Sequence, residues 1–127
     1  MQIGDAARRW VDVLRVAWPA RDLDACLSLY APGAVYRDPF GETKPANEHL
    51  QTVFGLGDSP PEVWMGEPFV AGDRAVFPWW AVIVIDGTPV TFVATEWVSF
   101  DGEGRIVEEH ADWTSKQGRV EPWPGWG

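Results

Sequence analysis

The chain has 127 residues, a formal net charge of −9 and one cysteine. This length predicts one domain, residues 1–127, with a loop-like and partly disordered tail over residues 116–127. The ten Lys and Arg residues form no basic run, which argues against a nucleic-acid or anionic-membrane partner. No apolar stretch reaches the ~20 residues of a membrane span and no signal peptide opens the chain, so we expect a cytoplasmic protein.

Helical periodicity in the first half of the chain predicts three helices. They cover residues 5–18 with Asp5 as N-cap and Pro19 as stop, residues 22–30 with Asp22 as N-cap, and residues 45–54, closed by Gly55. Tyr30 is expected on the apolar face of the second helix. A short strand around Val35-Tyr36 separates the second helix from the third.

The second half of the chain carries the signals of β-strands and turns. The predicted strands cover residues 62–70 with breaks at Gly66 and Pro68, 74–85, 90–100 and 105–114. Helices followed by antiparallel strands predict an α+β domain. A strongly curved antiparallel sheet wrapped around the three helices would form a cone, whose open end is a natural place for a small-molecule site.

Asp38 is the most informative carboxylate in the sequence. If the strand continues through Pro39, Tyr36, Asp38 and Phe40 share one core-directed face. A carboxylate between two aromatic rings loses solvation, and its pKa rises toward values suited to proton transfer. The alternative, which these residues alone favour, is that Asp38 caps a turn before Pro-Phe-Gly.

Several short motifs of the sequence resemble those of one superfamily. They are Asp22-Leu23-Asp24-Ala25, Leu29-Tyr30-Ala31-Pro32-Gly33-Ala34-Val35, Asp38-Pro39-Phe40-Gly41, Asp86-Gly87-Thr88-Pro89 and Phe100-Asp101-Gly102-Glu103-Gly104-Arg105-Ile106. Over roughly residues 10–113 the chain resembles the nuclear-transport-factor-2-like superfamily, which includes the SnoaL-like polyketide cyclases. Within that superfamily it is most similar to the bacterial ketosteroid isomerases.

The resemblance implies roles for four residues. In the isomerases an Asp base works with a tyrosine and a protonated acid that together hold the enolate oxygen. Asp38 matches the general base, and Glu96 matches the neutral acid that donates a hydrogen bond to that oxygen. Tyr30 matches a supporting tyrosine, and Trp113 matches an aromatic residue that contacts the substrate.

Two positions depart from the isomerase pattern. Leu14 stands where the family keeps its oxyanion tyrosine, and Phe54 stands where it keeps an aromatic support. Losing one oxyanion donor typically costs about 10²–10³ in rate. Tyr36, on the same predicted face as Asp38, is the candidate replacement.

The predicted strands carry aromatic residues that form walls for the interior of the cone. Phe77 and Trp79 alternate along one strand and Phe92 along the next, either as core packing or as walls for a flat ligand. The predicted substrate-binding set is Leu14, Phe54, Phe77, Trp79, Phe92, Glu109 and Trp113. Glu109 either faces the cavity as a third carboxylate or lies solvated at its rim. Trp80 faces outward, where the resemblance implies a homodimer through the outer sheet face.

The sequence contains no pattern of a metal or cofactor site. His49 is expected to be exposed on the third helix, and His110 is expected to pair with Asp112 on the outer face. Three or four convergent ligands are needed for a metal ion, and these histidines come from distant elements. We therefore expect no metal and no cofactor.

Three functional hypotheses follow. The first is proton transfer, a double-bond isomerisation on a hydrophobic polycyclic carbonyl compound, with Asp38 as base, Glu96 as acid, and Tyr36 or Tyr30 in support. The second is polyketide cyclisation or epoxide opening, with Asp38 and another carboxylate as the acid–base pair. The third is a non-catalytic domain that binds a small hydrophobic molecule.

Overall fold

A computed structural model describes residues 1–127 as three helices and seven strands. The helices are α1 (Ile3–Ala20), α2 (Leu23–Leu27) and α3 (Ala46–Phe54). The strands are β1 (Tyr30–Arg37), β2 (Thr43–Pro45), β3 (Glu62–Met65), β4 (Phe69–Ala71), β5 (Arg74–Ile85), β6 (Thr88–Phe100) and β7 (Ile106–Gln117). The predicted α+β class is confirmed. None of the helices combines the length and hydropathy that crossing a membrane requires.

The strands form one curved, open sheet in the order β2-β1-β7-β6-β5-β3, with β4 paired to β5. The sheet is mixed rather than wholly antiparallel, because β1 runs parallel to β7. This pairing places Tyr36 beside Glu109. Since β1 precedes α3 and β7 follows β6, the first and last long strands of the chain meet in the sheet.

The helix boundaries differ in detail from the predicted ones. Asp22 does cap α2, accepting a hydrogen bond from the Ala25 N–H at 3.1 Å. Asp5 is not the N-cap of α1; Gln2 holds that position, and Asp5 lies in the first turn. The prediction that Tyr30 lies on the second helix is wrong, because α2 ends at Leu27 and Tyr30 begins β1.

A tight hairpin joins β5 to β6 and sets their register. Asp86 and Gly87 both have positive φ, 50° and 78°, as a type I′ turn requires. Asp58 accepts hydrogen bonds from the N–H groups of both residues. The resulting register pairs Trp79 with Ala94 and aligns the inward-facing residues of the two strands.

The core lies between the inner face of the sheet and α1. Trp10 of α1 packs edge-on against Phe77, with ring centroids 4.3 Å apart. Phe77 is fully buried there and does not line the cavity described below. The prediction of Phe77 as a substrate-binding residue is therefore wrong, since α1 covers its ring.

Most of the tail, residues 118–127, is loop-like, and it packs against the sheet. Lys116 and Gln117 belong to β7, and residues 118–127 fold back over the outer face of the sheet. Trp80 donates its indole N–H to the Val120 carbonyl at 2.7 Å, and Trp123 and Trp126 pack edge-on against the Trp80 ring. Trp80 is therefore buried by its own chain, only 6% exposed, rather than free for a dimer interface; a homodimer elsewhere on this face stays a prediction.

Candidate active site

A cavity of about 510 Å³ opens between α1, α3 and the inner face of the sheet. It contains every predicted site residue except Phe77. These are Leu14, Tyr30, Tyr36, Asp38, Phe54, Trp79, Phe92, Glu96, Glu109 and Trp113. The alternation that assigned the inward-facing residues of β5, β6 and β7 is confirmed, since those residues face one side of a continuous sheet.

Two carboxyl groups lie next to each other in the buried part of the cavity wall. Glu96 on β6 pairs with Ala111, and Glu109 on β7 pairs with Val98, so the two glutamates are diagonal neighbours on one face. Glu96 is 6% exposed and Glu109 is 2% exposed. Glu96 Oε2 accepts a hydrogen bond from the Trp79 indole N–H at 2.7 Å, whereas Glu109 Oε1 is buried without a hydrogen-bond donor.

This environment favours the protonated form of both groups. Burial raises the pKa of Glu96 well above its usual range; the Glu109 charge raises it further, and the Trp79 N–H opposes the shift. Burial also raises the pKa of Glu109, while its contacts with Glu96 and Tyr30 lower it. Two carboxyls this close in a low-dielectric site do not both ionise, so the pair retains a proton at neutral pH.

Two tyrosines flank the carboxyl pair. The Tyr30 hydroxyl lies beside Glu109, and burial together with the Glu109 charge raises the Tyr30 pKa well above its usual value. Tyr36 is 3% exposed; burial raises its pKa, and the charges of Glu96 and Glu109 add to the shift. Both phenols therefore remain neutral and are available as hydrogen-bond donors.

Asp38 lies at the mouth of the cavity, in the turn after β1. Its Oδ1 accepts hydrogen bonds from the backbone N–H groups of Phe40 and Glu42, both at 2.9 Å. The turn-cap interpretation is therefore the correct local structure. The alternative of a carboxylate held between two core-directed aromatic rings is wrong, because β1 ends at Arg37 and Phe40 is 95% exposed. Asp38 nevertheless lines the cavity, with Oδ2 free of protein hydrogen bonds.

His49 is a cavity residue that the sequence pattern did not predict. Rather than being exposed, it is half-buried and its ring stacks on Tyr36, with centroids 3.4 Å apart and planes 4° from parallel. Burial, assisted by the Lys44 charge, lowers the His49 pKa to about 4. The sequence does contain a signal for this inward position. His49 follows Ala46 by three residues and precedes Val53 by four, which places it on the helix face that packs inward.

Apolar side chains form most of the remaining wall. Trp18, whose helical spacing indicated only a core residue, packs edge-on against Trp79 with centroids 5.1 Å apart and also lines the cavity. Its position four residues after Leu14 could have shown this. At the mouth, Trp113 is 51% exposed and lies tilted against Phe92, with centroids 6.1 Å apart. The cavity thus combines a buried polar pair with aromatic sides.

The remaining histidine does not belong to the cavity. His110 pairs with Asp112 on the outer face, His110 Nε2 lying 2.9 Å from Asp112 Oδ1, as predicted. No three His, Cys, Asp or Glu side chains are grouped so that they could hold a metal ion.

Comparisons with known proteins agree with this architecture. The family model of the SnoaL-like domain matches residues 7–109. No curated protein sequence is significantly similar to the chain.

Solved structures share the fold at low sequence identity. SalBIII, described as an epoxide hydrolase/cyclase-like enzyme in pyran ring formation in the polyether salinomycin, is 13% identical with a TM-score of 0.73, over 87% of this chain and 91% of that chain. An LEH-like epoxide hydrolase of M. tuberculosis is 18% identical with a TM-score of 0.68, over 87% and 83% of the two chains. A SnoaL-like protein of Burkholderia thailandensis is 19% identical with a TM-score of 0.63, over 87% and 95%. With most of its length matched by the family model and its fold shared with these structures, the chain belongs to the SnoaL-like domain family.

Proposed function

We propose that the protein is an enzyme that performs acid–base chemistry on a small hydrophobic molecule, with Glu96 and Glu109 as the reacting pair. The observation that carries this proposal is the adjacency of two buried carboxyls in the wall of an otherwise largely apolar cavity. A pair that retains one proton presents a donor and an acceptor side by side. Burying two adjacent carboxyls costs stability, and groups whose pKa is shifted by burial and by a specific charged neighbour cluster at functional sites, which favours a functional role.

Opening of an epoxide ring is the reaction that best matches this pair. Glu109, as carboxylate, removes the proton from a water or from a hydroxyl group of the same molecule, and that oxygen bonds to an epoxide carbon. The C–O bond of the ring breaks, and its oxygen takes the proton of Glu96. The proton that Glu109 took up then passes to Glu96, which restores the starting state without any other group.

The comparisons support this choice of reaction. SalBIII and the M. tuberculosis protein, which share the fold, are described as epoxide hydrolase/cyclase-like and epoxide hydrolase respectively. The walls favour an apolar substrate, because the side chains around the pair include Trp18, Trp79 and Phe92.

Isomerisation of a hydrophobic ketone is the second candidate, favoured by the presence of Asp38 and Glu96 in one cavity. Asp38 would move a proton from the carbon next to the carbonyl to the vinylogous carbon. Glu96 would donate a hydrogen bond to the enolate oxygen, with Tyr36 as the second donor in place of the hydroxyl that Leu14 lacks.

One substrate panel separates these candidates. The purified protein is incubated with an apolar epoxide, an apolar hydroxy-epoxide and a Δ5-3-ketosteroid, and products are measured by mass spectrometry for wild type, Glu96→Gln and Asp38→Asn. We expect turnover of the epoxides that is lost in Glu96→Gln and retained in Asp38→Asn. Turnover of the ketosteroid alone, lost in Asp38→Asn, would instead establish the isomerase.

The same panel tests the non-catalytic alternative. A ligand at 100 times its Kd adds about 2.7 kcal/mol to the free energy of unfolding. Stabilisation by these compounds without turnover of any would contradict both enzymatic proposals and favour a binding domain.

A further inference from the structure

The two carboxyls of the pair are not equivalent, because Glu96 accepts a hydrogen bond from an indole N–H fixed by the sheet, whereas Glu109 has the Tyr30 hydroxyl beside it and one oxygen without a donor. The donor is the Trp79 indole N–H, 2.7 Å from Glu96 Oε2. Trp79 sits on β5, its backbone paired on one side with Ala94 and on the other with Met65. Its ring is further held edge-on by Trp18. The indole therefore has a fixed direction toward Glu96.

We propose that Trp79 is a positioning residue for the general acid. Its indole N–H donates a hydrogen bond to Glu96 Oε2, so that the transferable proton resides on Glu96 Oε1. An indole N–H only donates. In a protonated carboxyl the carbonyl oxygen is the better acceptor, so the oxygen facing Trp79 remains unprotonated. This inference rests on the proposed acid–base function and assigns to Trp79 a role beyond that of an aromatic wall.

The same hydrogen bond has a second effect once the proton has left. Glu96 then carries a negative charge, and an N–H···O⁻ bond is stronger than the bond to the neutral acid. Trp79 therefore stabilises the state that forms as the proton is delivered. Glu109 Oε1, in contrast, is buried without a donor and can accept a proton without first losing a hydrogen bond there.

Other groups around Glu96 act differently on its ionisation. The titratable side chains that interact with it are Cys26 on α2, Tyr30 and Tyr36 on β1, and Glu109 on β7. Burial keeps the first three neutral, and the charge of Glu109 opposes ionisation of Glu96. The Trp79 N–H favours the ionised form of Glu96, so removing it should raise the Glu96 pKa.

Kinetics of Trp79→Phe test this role, with Trp80→Phe as the matched control. The control removes the same atom from the next residue, where it bonds the Val120 carbonyl on the outer face. For Trp79→Phe we expect kcat on an epoxide substrate to fall about 10- to 100-fold with little change in KM. The alkaline limb of the pH–rate profile should move to higher pH, because the acid becomes weaker. Trp80→Phe should leave the profile in place; equal profiles for Trp79→Phe and wild type would overturn the assignment.

A spectroscopic titration of wild type keeps the test independent of activity and of the folding of any Trp79 variant. Among the ¹⁵N–¹H indole signals, one should move with pH in step with the carboxyl pair, and this movement should vanish in Glu96→Gln. If no indole signal follows the pair, Trp79 has no such role, whatever the enzyme turns over. If the signal behaves as expected but no substrate is converted, the hydrogen bond stands and the proposed function fails.

Discussion

Trp79 and Trp80 are consecutive residues on the same strand, yet they serve opposite faces of the sheet. Each indole N–H donates one hydrogen bond of 2.7 Å, Trp79 to the Glu96 carboxyl and Trp80 to the Val120 carbonyl. On the inner face the acceptor titrates and borders a cavity. On the outer face the acceptor is a backbone carbonyl, and two further tryptophans pack against the Trp80 ring. In the proposed mechanism the indole therefore acts on chemistry where its acceptor can change charge, and it contributes only to packing where the acceptor cannot.

The largest expected effect is a loss of activity that distinguishes Glu109, on the inner face of the sheet, from Glu108, on the outer face. Glu109→Gln removes a member of the buried pair and should lower the rate of epoxide opening by about 10²–10⁴-fold. Glu108→Gln is the matched control, because the adjacent side chain lies on the other face and pairs with Arg37 at 2.6 Å. Steady-state rates of the two folded variants are compared; equal losses would contradict the assignment of chemistry to the inner face.

The next effect concerns the stability of the outer face. Trp80→Ala should lower the free energy of unfolding by about 3–5 kcal/mol, because it leaves a cavity beneath Trp123 and Trp126. Urea denaturation measures this loss, and the rate constant per folded molecule should remain that of wild type. A fall in the rate of the folded protein would show that the outer face is coupled to the cavity.

The pH dependence of stability sharpens the description of the inner face. The pKa of Glu96 is raised in the folded state, so the native protein binds more protons than the unfolded chain above about pH 4.3. The stabilisation from this raised pKa is fully present at pH values below the Glu96 pKa in the unfolded chain. It is lost as the pH rises through the Glu96 pKa in the folded protein. Glu96→Gln cannot ionise, so its stability relative to wild type should increase from pH 5 to pH 8 by about 1 kcal/mol or more. A difference independent of pH in denaturation experiments would show that Glu96 titrates normally.

The smallest effect is expected at the ion pair that holds the tail. Arg119 makes two 2.8 Å hydrogen bonds to Glu62, but both side chains are about half exposed. Arg119→Ala should therefore change the free energy of unfolding by no more than about 1 kcal/mol. A larger loss in thermal denaturation would mean that this pair, rather than the tryptophan cluster, anchors the tail.

Local sequence patterns were sufficient for most of the fold. Alternation along β5, β6 and β7 identified which side chains face inward, because a strand's side-chain direction depends only on its own residues. The Asp86-Gly87 turn then fixed the register of β5 and β6. For the same reason Glu96, Trp79 and Phe92 could be placed on one face.

The features that define the carboxyl pair depend on contacts between distant segments. Glu109 was assigned to the inner face, but whether it lay buried or at the rim depended on the parallel pairing of β1 with β7, which no local pattern reveals. The burial of Trp80 likewise depends on a tail rich in Gly and Pro, whose composition suggested a loop. Asp38 shows the reverse case, since its turn-capping role was readable from the adjacent Pro-Phe-Gly.

The central claim is that Glu96 and Glu109 share a proton inside the cavity. It is tested most directly by ¹³C NMR titration of the glutamate carboxyls, with the two resonances assigned from Glu96→Gln and Glu109→Gln. We expect these two resonances to titrate as a coupled pair, with the pair still holding a proton at pH 7. Two independent titrations near the usual glutamate pKa of about 4.3 would contradict it.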